Sequence, residues 1–211
     1  DVDRVADGGS AIRFVIGAYG AGKTFFAGMV RLIAHERKCV TMPADLSPNR
    51  RIHASGGQGR ALYAEAVNNM ATRNKPEGGA LQSVIERLVT DAVKEASEKS
   101  VAVETVIDQK LEPISGVQGG YDFATVLKAY WRGSEESNGS LKENAIRWLR
   151  GEYSTKTDAR KDLGVRTIID DETVYESLKS LACLVRVAGY AGLLVMFDEM
   201  ANIYKLQNAQ A

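Results

Sequence analysis

The chain has 211 residues, 45% of them hydrophobic and 26% charged, with 27 Lys plus Arg balanced by 27 Asp plus Glu. That is enough material for one sizeable core, and the composition is that of a globular rather than a disordered protein. A net charge of zero gives no global basic field for nucleic acid and leaves only a local patch as an option.

In chain order, "AIRFVI" (11–16) reads as a short buried strand, rich in β-formers and bounded by glycines. "KTFFAGMVRLIAHER" (23–37) carries apolar residues at 25, 26, 29, 30, 32 and 33, the spacing of a helical face. "KCVTMP" (38–43) predicts a second strand that Pro43 stops, and 44–59 predicts a loop. From 60 to about 112 the pattern is helical. "RALYAEAVNNMAT" and "ALQSVIERLVTDAVKEASEK" form two amphipathic stretches, separated by "NKPEGG". After a break at 112–120 come two shorter helices, "YDFATVLKAYWRG" and "SLKENAIRWLRGEY". A polar connector follows over 154–165, then a helix within 170–190 with acidic residues in its first turn. "AGLLVMFDEM" (191–200) predicts a last strand that ends in two acids. Strand, loop, helix and strand, then a long helical stretch and another strand, predict an α/β domain. The expected fold is a three-layer α/β/α arrangement of phosphate-loop type. It has a parallel sheet and a mostly helical insertion at about 60–165, and stops after the acidic strand.

Gly17-x4-Gly22-Lys23-Thr24 satisfies the pattern G-x-x-x-x-G-K-[ST], and it falls between a predicted strand and a predicted helix. Gly17, Gly20 and Gly22 let the backbone turn its N–H groups inward around phosphate oxygens, with Tyr19 and Ala21 between them. The helix start at Lys23, Thr24 and Phe25 adds a partial positive charge. Lys23 is expected to reach the outer phosphates, and the Thr24 hydroxyl to ligate Mg²⁺. In "LLVMFDEM" five apolar residues deliver Asp198 and Glu199 to a strand end. Asp198 is the expected holder of the Mg²⁺ water shell and Glu199 the expected general base. "NKPE" (74–77) resembles a guanine-reading motif, but it has Glu for Asp and precedes the second acidic motif. It reads as a loop, and adenine is the expected base.

Other features carry less. Cys39 and Cys183 lie in apolar runs without a CxxC and read as reduced buried thiols of a cytoplasmic protein. No run is long enough to span a bilayer, no signal peptide opens the chain, and no membrane partner is expected. Trp131, followed by Arg132, and Trp148, preceded by Arg147, read as helix-packing residues. Arg50 and Arg51 form a basic pair open to DNA or a partner subunit, and His53 reads as a solvated loop residue.

"GAYGAGKTFF…RLI", "DLSP…H", "RWLRGE" (147–152) and "GYAGLLVMFDEMANIYKL" (189–206) together resemble the ATP-binding proteins of bacteriophage-exclusion (BREX) defence systems, which are related to AAA+ ATPases. The loop and the acidic strand are common to all AAA+ proteins. "RWLRGE" and "DEMANIYKL" are the parts that point to this family. The resemblance implies ATP and Mg²⁺ as ligands, hydrolysis to ADP and phosphate, and other defence-system proteins and DNA as partners, with a homo-oligomer as an option. An ATP-gated switch with little turnover is the alternative. A small-molecule kinase is disfavoured by the lack of an arginine-rich lid. Members of the family continue past the acidic strand into a sensor residue, an arginine finger and a lid. This stretch alone is therefore expected to bind ATP and to hydrolyse it weakly.

Overall fold

A computed structural model describes residues 1–52 and 56–200. Nine helices and two strands are arranged along them: α1 (Val2–Ala6), α2 (Lys23–Glu36), β1 (Cys39–Asp45), α3 (Gln58–Asn68), α4 (Leu81–Lys99), α5 (Val103–Ser115), α6 (Gly120–Glu135), α7 (Gly139–Leu149), α8 (Lys156–Leu163), α9 (Val174–Val187) and β2 (Gly192–Asp198). The fold is mixed α/β, mostly helical, with a small parallel sheet in which Cys39 pairs with Gly192 and Asp45 with Asp198.

β1 runs through Pro43 rather than stopping before it. Thr41 exchanges both backbone hydrogen bonds with Ala71 (2.9 and 2.8 Å), so odd-numbered residues of β1 turn their backbone groups outward. The N–H that Pro43 lacks would have faced that outer edge, where proline is tolerated. Asn69 Nδ2 donates to the Pro43 carbonyl on the same side at 3.1 Å.

The strand expected at 11–16 does not form. Those residues are irregular, and Ile12, Phe14 and Ile16 are 78%, 73% and 93% exposed. A run of β-formers becomes a strand only when a neighbour completes its ladder. β1 is occupied by β2 on one side and Ala71 on the other, and no described strand lies beside 11–16. The expected three-strand sheet is therefore two-stranded among the described residues. α2 forms as expected, yet the residues it turns to the protein are Ala27, Val30, Ala34 and His35, while Phe25, Phe26, Met29, Leu32 and Ile33 stay exposed. The buried His35 Nε2 lies 3.0 Å from Thr41 Oγ1 and ties α2 to β1.

The core joins Val40, Met42 and Ala44 of β1 to the buried faces of α3 to α7 and α9. Trp131 and Trp148 pack helices, as expected. Trp148 meets Phe123 edge-on at 6.0 Å and donates its indole N–H to the Thr167 carbonyl at 2.9 Å. The polar stretch 154–165, expected as a connector, holds α8. Thr155 caps it by accepting from the Asp158 N–H at 3.1 Å, a T-x-x-D start that outweighs the polar composition. Buried Asp122 is satisfied by the backbone N–H groups of Arg166 (3.0 Å) and Thr167 (2.8 Å) and by the Thr167 hydroxyl (2.6 Å). "NKPE" lies in the turn between α3 and α4, outside any helix or strand. No helix among the described residues is long and apolar enough to cross a membrane.

Candidate functional site

Two stretches 174 residues apart in sequence meet at one end of the sheet. The Thr24 hydroxyl, in the first turn of α2, donates to Asp198 Oδ2 at 3.1 Å. Asp198 closes β2, and its other oxygen accepts the Glu199 N–H at 2.8 Å. β1 and β2 are parallel and end together, so Asp45 stands in register beside Asp198. The site thus sits outside the carboxyl ends of parallel strands, where the strand termini of α/β folds leave a crevice.

The loop before α2 is built for tight turning. Gly20 and Gly22 hold φ of +79° and +83°, a region that costs a side-chain-bearing residue about 1–2 kcal/mol. Gly22 is the N-cap of α2 and supplies no side-chain acceptor to the first turn. The N–H groups at the start of α2 are thus left as donors, with the positive end of the helix dipole behind them. Lys23 Nζ folds back on its own loop and donates to the carbonyls of Gly17 (3.0 Å) and Ala18 (2.9 Å). The Ala21 N–H closes a turn on Ala18 O at 3.2 Å. Tyr19 is fully exposed, and Phe25 is largely so.

Of the residues expected to act, the structure brings Thr24 to Asp198, with Lys23 and Glu199 their neighbours in chain. Glu199 is exposed and adopts φ of +57°, rare for a residue with a side chain. Tyr19 and Phe25 touch none of these groups through a hydrogen bond or ring contact among the described residues. His53 and the 201–206 part of "DEMANIYKL" lie outside the described residues. Asp45 was not anticipated, although "PADLSP" ends its strand in an acid just as "MFDEM" does. The thiols of Cys39 and Cys183 are pushed up by burial, away from the nucleophilic range.

The donor set suits an anion plus a hard cation. Free helix N–H groups and a lysine offer charge-assisted hydrogen bonds, and a hydroxyl beside a carboxylate is an oxygen pair of the kind Mg²⁺ takes. A glycine-rich loop at a helix start, facing an acid at a strand end, is an arrangement that nucleotide-binding α/β proteins use for phosphate. A family model described as "BREX system ATP-binding protein BrxC/D" matches residues 1–211. The chain belongs to this family of ATP-binding proteins of a phage-defence system. No curated protein and no solved structure matches the chain.

Proposed function

We propose that the Gly17–Thr24 loop binds ATP with Mg²⁺, and that the chain is the nucleotide-binding part of an AAA+-type ATPase acting in a phage-defence complex. The observation that carries this reading is the Thr24–Asp198 hydrogen bond at 3.1 Å, which joins the glycine-rich loop to the acidic strand end. In this reading the backbone N–H groups of Gly20, Gly22 and Lys23 hold phosphate oxygens, with Ala21, Thr24 and Phe25 completing the wall. Lys23 exchanges its two carbonyl acceptors for an outer phosphate. Thr24 and Asp198 hold the cation and its waters. Mg²⁺, when bound, spreads the charge that develops on the phosphate oxygens. Glu199 takes the proton of the attacking water at its carboxylate. The helical stretch at about 60–165 acts as an insertion between the two nucleotide-binding motifs. A cytoplasmic location, adenine as base, self-association, and DNA and other defence-system proteins as partners belong to the same reading.

A second reading, an ATP-gated switch, is favoured by Lys23 being engaged by its own loop. Calorimetry with Mg·ATP, paired with phosphate release measured with and without duplex DNA, separates them. Binding with release supports the ATPase, and binding without release supports the switch. No binding removes both.

A further inference from the structure

We propose that Arg51 is an additional contact to the terminal phosphate of the nucleotide, an inference that rests on the ATP-binding reading above. The loop that follows β1 leaves the sheet beside the site, because the Leu46 N–H donates to the Asp198 carbonyl at 3.0 Å. It then closes a tight turn in which Ser47 and Arg50 exchange backbone hydrogen bonds of 3.0 and 3.1 Å. Its far end is anchored: the Gly57 N–H donates to Asp171 Oδ2 at 2.7 Å and the Arg51 N–H to Gln58 O at 3.4 Å. The two arginines of this loop are used differently. Arg50 forms an ion pair with Glu65, whose other oxygen accepts from the Asp45 N–H at 3.3 Å. Arg51 has no such partner. It is half-buried, its Nε is shielded from water and unsatisfied, and its guanidinium makes no ion pair among the described residues.

A half-buried guanidinium with an unsatisfied Nε and no carboxylate partner among the described residues is open to an anion, and its planar fork suits phosphate. Position and charge select the phosphate. α2 packs on β1 and presents Thr24 to Asp198, and the loop after β1 starts against that same residue through the Leu46 N–H. Asp45, Asp198 and Glu199 stand at the same edge. They would repel the phosphate chain of a nucleic acid running across it, whereas a phosphate carrying a divalent cation is compatible with them.

The test compares ATP and ADP affinity in Mg²⁺ by calorimetry for the wild-type chain, Arg51→Ala and Arg51→Lys, with thermal melts to confirm folding. Arg51→Ala should weaken ATP roughly 10- to 100-fold, the range for a hydrogen bond to a charged group, and leave ADP close to wild type. Arg51→Lys should recover part of the loss and is the variant to read if the alanine form does not fold. Equal losses for ATP and ADP, or no loss, overturn the assignment while the loop's own role stands. A fall in DNA affinity with unchanged ATP affinity also overturns it. A wild-type chain that binds neither nucleotide brings down the ATP reading and this assignment together.

Discussion

Asp198→Asn separates the charge of Asp198 from its shape. The carboxylate accepts two hydrogen bonds, from the Thr24 hydroxyl at 3.1 Å and from the Glu199 N–H at 2.8 Å. Asn keeps one carbonyl oxygen for the Glu199 N–H, and its amide can donate to the Thr24 oxygen, so both contacts survive with reversed polarity at one. The structural cost is then only the lost charge assistance, about 1 kcal/mol. The cost for the cation is much larger, because the half-buried carboxylate is, among the described residues, the one negative group bonded to Thr24. Removing a partner that orients a metal's ligands typically weakens metal affinity roughly 10- to 100-fold. ATP titrations at a series of Mg²⁺ concentrations should show the Mg²⁺ requirement rising by that factor. ATP binding in EDTA should be unchanged or tighter, since a carboxylate facing the phosphates has been neutralised. An unaltered Mg²⁺ requirement in a folded variant would refute the assignment of Asp198 to the cation.

Two further outcomes are expected. Glu199→Gln should retain ATP affinity and slow any phosphate release on the order of a hundredfold or more, and a fully active Gln variant removes Glu199 from the mechanism. His35 is held below its ordinary value of 6.5 by burial and, secondarily, by Arg31, against an opposing hydrogen bond with the Ala71 backbone. The unfolded chain therefore takes up this proton at higher pH than the folded one. The contribution to stability is full above about pH 6.5 and is lost as pH falls toward the folded value. The melting temperature should drop over that range, and His35→Gln should flatten the drop; parallel profiles for the two proteins would exclude His35 as its source.

The site was legible where its signals are local. The Gly17–Thr24 spacing and the acids after "LLVMF" each state a backbone requirement within eight residues, and the structure brings Thr24 and Asp198 together. The run at 11–16 forms no strand because β-propensity describes a surface that fits a ladder, and the ladder partner is not encoded in the run itself. α8 was hidden by its polar composition, although Thr155 and Asp158 carried the start signal. Pro43 looked like a terminator because sequence does not say which edge of a strand faces outward. The anchoring of α3 by Asp171, 114 residues away, left no local trace, and neither did the difference between Arg50 and Arg51.

The central claim is that the Gly17–Thr24 loop holds the phosphates of ATP. Calorimetric titration of Mg·ATP into the wild-type chain and into Lys23→Ala tests it most directly. Among the described residues Lys23 Nζ hydrogen-bonds only to the carbonyls of its own loop, so its loss should leave the melting temperature nearly unchanged. Saturable binding to the wild type and none to the variant is the predicted result. Equal affinity for ATP in the two proteins would contradict the claim.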